Sequence, residues 1–260
     1  MAPVALITGG VSGIGLETAC MLAERGVTVA AISRQADHPR YKDARDRIHK
    51  TAEAHGRKAL VAAIDVQDVH SIEDGLKKIV TTLGHVSILV NAAGVYHHEA
   101  IAGHTLDGWN TAIGVNLTGP FLMTRACWPM MTDAHHGRII NIASTAAHRG
   151  MQDYAGYCAA KSGLLGLTRV TALEGARHGI TCNSISPSWV DTPMMENSLA
   201  SQARERGVDA SVLYDEARHD SPQSRIITPD EIARQIIWLA LDAPLSLTGE
   251  DILMTGGASW

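Results

Sequence analysis

The sequence predicts an α/β protein whose core is a doubly wound parallel sheet with helices covering both faces. Short apolar runs rich in Val, Ile, Leu and Ala alternate along the chain with longer segments of helical periodicity. The 260 residues include 24 Gly but only five Trp, five Tyr and one Phe, so aliphatic side chains must fill the core. A glycine-rich turn directly follows the first apolar run, where such sheets begin their first helix.

Seven short runs are predicted to be strands because apolar, often β-branched residues fill them continuously, as in strands buried on both faces. They span residues 4–8, 27–32, 59–64, 86–90, 138–143, 180–185 and 252–254. Helices are predicted between them at residues 14–25, 41–55, 72–83, 106–131, 157–178 and 231–241. The last helix has a clear start, because Thr228, Pro229 and Glu231 form a capping box with proline at the first helical position.

No repeat, low-complexity tract or Pro/Ser-rich linker divides the chain, so a single domain over residues 1–260 is predicted. The one long connection covers residues 191–225 and is rich in Ser, Arg, Asp and Met. Connections of this length in compact folds are usually lids or binding loops. The segment is therefore predicted to be a substrate lid.

Composition excludes several classes of partner. The formal net charge is −5 and the basic residues are scattered, so nucleic-acid binding is not expected. No apolar run approaches the roughly 20 residues of a membrane span, and the first residues lack the basic lead of a signal peptide, so a cytoplasmic protein without membrane attachment is expected. The four cysteines are far apart, and the pairs His97-His98 and His135-His136 lack a nearby third ligand, so no metal site is predicted.

The glycine-rich turn covers residues 8–15, with glycines spaced G-x-x-x-G-x-G. Glycine lets the backbone approach a phosphate closely, and a helix N-terminus offers free N–H groups and the positive end of the helix dipole. The turn therefore predicts a dinucleotide site, with a purely structural turn as the alternative. Its predicted contacts are Gly9, Ser12, Gly13, Ile14 and Gly15.

Ser33 and Arg34 follow the second predicted strand, where an acidic residue would bind the ribose hydroxyl of NAD. A hydroxyl and a guanidinium suit a 2′-phosphate instead, because arginine binds phosphate through two parallel hydrogen bonds. The predicted cofactor is therefore NADP. NAD remains the alternative if Arg34 is simply a solvated loop residue.

Ser144, Tyr157 and Lys161 follow the turn in that order, with Asn91-Ala92-Ala93-Gly94 and Asn116 upstream of them. Tyr157 and Lys161 are four residues apart, so a helix places them on one face, where the ammonium can lower the pKa of the phenol. Together these motifs resemble the short-chain dehydrogenase/reductase family, in its single-domain branch with a Rossmann fold. The resemblance covers nearly the whole chain.

This resemblance implies an oxidoreductase that transfers a hydride between NADP(H) and a small ketone or secondary alcohol. It implies that Tyr157 is the general acid/base and that Ser144 holds the carbonyl oxygen. Lys161 would also bind the nicotinamide ribose, and Asn116 would hold a water for proton return. The other implied cofactor contacts are Asp65, Val66, Asn91, Ala92, Gly94, Pro187, Val190 and Thr192. A homodimer or homotetramer is implied as well, with Trp260 a candidate for contact with a neighbouring subunit.

Two positions depart from the family pattern. Ser188 stands where a glycine usually follows the proline, so the wall near the nicotinamide is predicted to have a different contour. Thr255 stands where an aspartate usually precedes the two late glycines, a position that is more often structural.

The same resemblance places the substrate pocket at Val95, Tyr96, His97, Ala146, His148, Arg149, Met151, Gln152, Trp189 and residues 194–213. His148 and Arg149 suggest that an anionic group of the substrate is recognised, a solvated loop being the alternative reading of the same pair. For the whole chain, two alternatives stay open: an NAD-dependent alcohol dehydrogenase, and a catalytically silent module that senses a dinucleotide or binds a partner.

Overall fold

The structure, a computed structural model, describes residues 2–258, so Trp260 lies outside the described residues. Within that range the strands are β1 Val4–Thr8, β2 Thr28–Ser33, β3 Ala59–Ala63, β4 Val86–Asn91, β5 Gly137–Ile142, β6 Ile180–Pro187 and β7 Asp251–Met254. They form one sheet in the order β3-β2-β1-β4-β5-β6-β7, and every pair is parallel. The predicted doubly wound sheet is thereby confirmed, with strand bounds close to those predicted.

Helices cover both faces of this sheet. They are α1 Gly13–Glu24, α2 Lys42–Ala54, α3 Val69–Leu83, α4 Leu106–Ile113, α5 Gly119–Asp133, α6 Ala155–Gly175, α7 Pro193–Arg206, α8 Ala210–His219 and α9 Pro229–Leu241. Successive side chains of a strand point to opposite faces. Ile7 of β1 accordingly lies in one buried cluster with Ile236 of α9, while Leu6 lies in another with Met123 of α5. The strand order reverses between β1 and β4, which creates a crevice at the carboxyl ends of these two strands.

The prediction of a single helix over residues 106–131 is wrong in one respect. Helices α4 and α5 are separated by a π-helical turn, Gly114–Thr118. A Cβ atom on Gly114 would collide with the side chain of Gln67, and one on Gly119 would lie 2.8 Å from Cγ2 of Val66. The glycines thus let the loop after β3 press against the turn, a long-range contact that helical periodicity does not report.

Residues 191–225, predicted as one long connection, contain the two helices α7 and α8. An isolated parallel bridge between Val190 and Ile227 brings the two ends of the segment together. Met195, Leu199 and Leu213 belong to a small apolar cluster of its own. Helix α7 was missed because its apolar residues are diluted by Glu, Arg, Ser and Gln, so that it shows little amphipathic pattern.

Among residues 2–258, no helix combines the length and the apolar character that crossing a bilayer requires.

Candidate active site

A cavity lies above the carboxyl ends of the strands, over the crevice between β1 and β4. Its volume is about 380 Å³, within the roughly 300–1,000 Å³ of a pocket for one small molecule. Its lining extends from the glycine-rich turn and Arg34 to Ser144 and Tyr157, so it reaches both the predicted dinucleotide site and the predicted catalytic residues. Most of the predicted site residues line it: Gly9, Ser12, Gly13, Ile14, Gly15, Ser33, Arg34, Asp65, Val66, Ala92, Gly94, Asn116, Ser144, Tyr157, Lys161, Pro187, Val190 and Thr192.

The glycine-rich turn forms one end of α1 and has the geometry of an anion cradle. Leu16 donates the first intrahelical hydrogen bond, to Ser12, so the N–H groups of residues 13–15 are free of helical partners. Gly9 has φ of +67°, which favours glycine, and a Cβ atom on Gly15 would collide with the Gly9 carbonyl. A Cβ on Gly13 would lie 3.0 Å from Cγ2 of Thr192. The absence of these side chains leaves the backbone open to a pyrophosphate, so the residues present fit a dinucleotide.

Two guanidinium groups line the cavity beyond β2. Arg34 is exposed and, within residues 2–258, makes no hydrogen bond or ion pair. Arg40, which the sequence analysis missed, donates to Oε1 of Gln35 at 3.0 Å and lies over the ring of Tyr41 at 4.6 Å from its centroid. The only signal for Arg40 was a second arginine in the same connection between β2 and α2. Folding brings both cations to one end of the cavity, which favours a ligand with negative charge there.

Ser144, Tyr157 and Lys161, three of the four residues predicted to be catalytic, meet at the other end. Ser144 is the N-cap of a short 3-10 turn, Thr145–Ala147, and accepts from the N–H of Ala146 at 3.1 Å. Tyr157 and Lys161 lie on α6, as the four-residue spacing predicts, and the Ser144 hydroxyl lies beside the phenol of Tyr157, where it favours the phenolate. The Nζ of Lys161 lies 5.6 Å from the centroid of the Tyr157 ring and donates to the carbonyl of Ile142 at 2.7 Å.

The pKa values of Tyr157 and Lys161 differ from the expectation that the ammonium lowers the pKa of the phenol. Burial raises the pKa of Tyr157 to about 12, and the neighbouring Ser144 hydroxyl opposes that rise only in part. Burial also lowers the pKa of Lys161 to about 8. Proximity of the ammonium is therefore not enough to lower the pKa of the phenol, because both groups lose the water that stabilises their charged forms. A positive charge brought by the cofactor remains as a second source of phenolate stabilisation.

Asn116 is fully buried in the π-helical turn and fixes the chain after β4. Its Nδ2 donates to the carbonyls of Val95 and Ala112 at 2.8 and 2.9 Å, and its Oδ1 accepts from the N–H of Val95 at 3.3 Å. Protein partners thus occupy the side-chain amide. The water that Asn116 was predicted to hold stays a prediction.

The structure places Asn91 outside the lining of the cavity, and its predicted role as a cofactor contact stays a prediction. Nδ2 of Asn91 donates to Oδ1 of Asn141 at 2.9 Å, and Nδ2 of Asn141 donates to the hydroxyl of Thr168 at 2.9 Å. The three buried side chains link β4, β5 and α6. The reason is the register of β4: Asn91 is its last residue and points into the layer between sheet and α6, whereas the following residues 92–94 reach the cavity.

The substrate end of the cavity is largely aromatic and thioether-rich. Of the predicted pocket residues, those lining it are Val95, Tyr96, Arg149, Met151, Trp189, Met194, Met195 and Ser198, whereas His97, Ala146, His148 and Gln152 do not. Both cationic candidates have carboxylate partners: His148 Nε2 lies 2.7 Å from Oδ2 of Asp251, and Nη2 of Arg149 lies 2.9 Å from Oδ2 of Asp220. Asp220, at the end of α8, lines the cavity and was not foreseen.

Comparison with known proteins decides the family. The model of a family described as enoyl-(acyl carrier protein) reductase matches residues 9–259. An acetoacetyl-CoA reductase of Shinella zoogloeoides is 36% identical over 99% of this chain and 98% of its own. A D-beta-hydroxybutyrate dehydrogenase of Cupriavidus necator is 34% identical over 97% and 96%. The crystal structure of a variant actinorhodin polyketide ketoreductase with NADPH aligns with a TM-score of 0.91 at 32% identity, covering 99% and 97% of the two chains.

The chain belongs to the short-chain dehydrogenase/reductase family. It is an oxidoreductase of that family.

The two departures from the family pattern are accommodated without strain in this short-chain dehydrogenase/reductase. Ser188 is not among the residues with positive φ, and its N–H donates to the carbonyl of Met254 at 3.0 Å. A side chain is therefore tolerated there and lines the cavity. Thr255 is buried, and its carbonyl accepts from Ala258, which is consistent with a structural role.

Proposed function

We propose that this enzyme transfers a hydride between NADP(H) and the carbonyl carbon of a ketone, or in reverse from a secondary alcohol. The observation that carries the proposal is the convergence of Ser144, Tyr157 and Lys161 at one end of a cavity whose other end is a dinucleotide cradle. When bound, the nicotinamide supplies or accepts the hydride. The protein's own groups then have to bind the carbonyl oxygen and handle one proton.

Tyr157 is the proton donor in this proposal. Its hydroxyl lies beside that of Ser144, so a carbonyl oxygen that reaches both can accept from both and receive the phenolic proton. Lys161 is held beside the phenol by the carbonyl of Ile142, which orients its ammonium. Its remaining N–H groups suit the hydroxyls of the nicotinamide ribose. That Asn116 holds the water that returns the proton is part of the same proposal.

NADP rather than NAD is the proposed cofactor. Arg34 and Arg40 both line the adenosine end, and Asp65 is the one acidic residue among the described residues lining that end. The related polyketide ketoreductase was crystallised with NADPH. An NAD-dependent alcohol dehydrogenase is the second candidate. The one feature that favours it is Asp65, but Asp65 follows β3, whereas the acidic residue that binds the ribose hydroxyl of NAD usually follows β2.

A panel of ketones and secondary alcohols, assayed with each of the four nicotinamide forms, tests the reaction. Consumption of NADPH with at least one ketone is expected, at a higher rate than consumption of NADH. The absorbance of the reduced nicotinamide reports the rate directly. Binding of NADPH without consumption across the whole panel would instead identify a catalytically silent dinucleotide-binding module.

We also propose that residues 191–225 act as the substrate lid. Helix α7 contributes Met194, Met195 and Ser198 to the cavity, and α8 is followed by Asp220. The hydroxyl of Ser198 lies 3.1 Å from that of Tyr154, which joins the segment to the start of the catalytic helix α6. In this proposal residues 191–225 cover the cavity, and their side chains form part of its lining.

A homo-oligomer through the outer face of α5 and α6 is proposed as well. Leu173 is 79% exposed, Val170 52% and Phe121 46%. Val170 and Leu173 follow Gly166 at helical spacing on one face of α6, so they form a continuous apolar strip that a second copy can cover.

Light scattering is expected to give the mass of a dimer or tetramer. Changing both Val170 and Leu173 to Lys should lower that mass, because two charges per subunit would be buried in the interface. Val212→Lys, at an exposed apolar position of α8, is the matched control and should leave the mass unchanged. A monomeric parent protein would refute the proposal.

A further inference from the structure

An ion pair spans the substrate end of the cavity. Nη2 of Arg149 lies 2.9 Å from Oδ2 of Asp220, and both residues line the cavity. Arg149 belongs to the turn that begins at Ser144, where its N–H donates to the carbonyl of Thr145. Asp220 caps the end of α8, where its N–H donates to the carbonyl of Glu216. Both backbones are therefore anchored, and the pair connects the catalytic turn to the lid.

Arg149 is the one guanidinium at this end of the cavity among the described residues. Arg34 and Arg40 follow β2, on the far side of the crevice from the turn after β5 that carries Ser144. The ammonium of Lys161 is turned to the carbonyl of Ile142, beside Tyr157. A substrate entering this end therefore meets a cation whose charge is already balanced by Asp220.

Among the described residues lining the cavity, no cationic side chain besides Arg34, Arg40, Arg149 and Lys161 is present. Tyr96, Met151, Tyr154, Trp189 and Met194 belong to the same lining. His148 does not line the cavity and is engaged by Asp251, whose other oxygen accepts from Ser184 and Ser186. An apolar wall with a few hydroxyls binds neutral molecules well but leaves a carboxylate without compensation for its lost water.

Resting on the proposed function, we infer that Asp220 is a specificity-determining residue which, by neutralising Arg149, selects neutral carbonyl substrates against those that carry a carboxylate. The carboxylate of Asp220 already accepts from Nη2 of Arg149, so it competes with a substrate carboxylate for that guanidinium and repels an incoming anion. The same guanidinium without Asp220 would be an anion receptor. The arrangement is thus the opposite of the anion recognition that Arg149 suggests in isolation.

The test compares two substrates with the same reacting carbonyl, 3-oxobutanoate and its methyl ester. For the parent enzyme, kcat/KM is expected to favour the ester by about tenfold or more. In Asp220→Asn, which keeps the side-chain shape, the acid-to-ester ratio of kcat/KM should rise by about tenfold. The rise should shrink at high ionic strength, because it depends on a partly exposed charge.

Two variants control the assignment. Asp215→Asn removes a carboxylate from the same helix that pairs with Arg218 and does not line the cavity, so the ratio should stay at the parent value. Arg149→Gln added to Asp220→Asn should abolish the gain for the acid. A parent enzyme that prefers the acid, or an Asp220→Asn ratio equal to the parent ratio, would overturn the inference.

A binding measurement separates this inference from the proposed reaction. Calorimetry with the enzyme–NADP⁺ complex compares 3-hydroxybutanoate with its methyl ester, without any turnover. A higher acid-to-ester affinity ratio in Asp220→Asn supports the role of the pair even if no variant consumes NADPH, in which case only the proposed reaction fails. An unchanged affinity ratio in an enzyme that reduces ketones overturns the role of Asp220 alone.

Discussion

Replacing Tyr157 with Phe is expected to lower kcat for ketone reduction by about 10²–10⁴-fold while the Kd for NADPH changes little. The substitution removes only the hydroxyl, which lies beside that of Ser144 and is the proposed proton donor. The ring remains in contact with Lys161, so the surroundings of the cofactor are preserved. Steady-state kinetics with the best ketone of the panel, together with fluorescence titration of NADPH, measures both quantities.

Tyr154 provides the sharpest comparison, because this phenol lines the same cavity and lies three residues before Tyr157. Its hydroxyl lies 3.1 Å from that of Ser198 and accepts from Nε2 of Gln202 at 3.0 Å. Four residues later stands Cys158, which provides no ammonium. Tyr154→Phe is therefore expected to cost far less turnover than Tyr157→Phe. Near-normal turnover in Tyr157→Phe would reject the assignment of the proton donor.

Arg34→Ala is expected to weaken NADPH binding by about 10–100-fold, which corresponds to the loss of roughly 1.5–3 kcal/mol from a hydrogen bond to a charged group. The affinity for NADH should change much less, because NADH lacks the phosphate that the guanidinium would bind. Arg40→Ala should act in the same direction, since the contacts with Gln35 and Tyr41 hold its guanidinium at the same end of the cavity. Titration of each variant with both cofactors gives the ratio of NADPH to NADH affinity.

Arg47→Ala is the matched control for these substitutions. Arg47 forms a two-bond ion pair with Glu17 between α2 and α1, and it does not line the cavity. Its removal should leave the ratio of NADPH to NADH affinity at the parent value. If Arg34→Ala and Arg40→Ala also left that ratio unchanged, NADP selectivity would have to arise elsewhere, and NAD would become the better candidate.

The elements and most of the site were predictable because their signals are local. Continuous apolar runs reveal buried strands, and the spacing of Tyr157 and Lys161 places them on one helical face wherever the helix lies. The glycine-rich turn carries its own requirement, since Gly9 has positive φ and Gly15 touches the Gly9 carbonyl. These features follow from the chemistry of neighbouring residues and needed no knowledge of distant ones.

The features that were missed all depend on residues far apart in the chain. The π-helical turn forms where Gly114 meets Gln67, and the side chain of Asn91 turns to Asn141 rather than to the cavity. The pKa of Tyr157 is set by burial, which no spacing reveals. Arg149 meets Asp220 across 71 positions of sequence.

The sequence by itself determined the doubly wound fold and the position of the glycine-rich turn at its first strand–helix junction, and the family resemblance predicted Ser144, Tyr157 and Lys161 as the catalytic group. Periodicity, glycine conformation and helical spacing act over a few residues and survive in any context. Only the tertiary structure decided whether the charge of Arg149 is balanced. A guanidinium attracts anions unless the fold places a carboxylate beside it. In this chain the fold places Asp220 there.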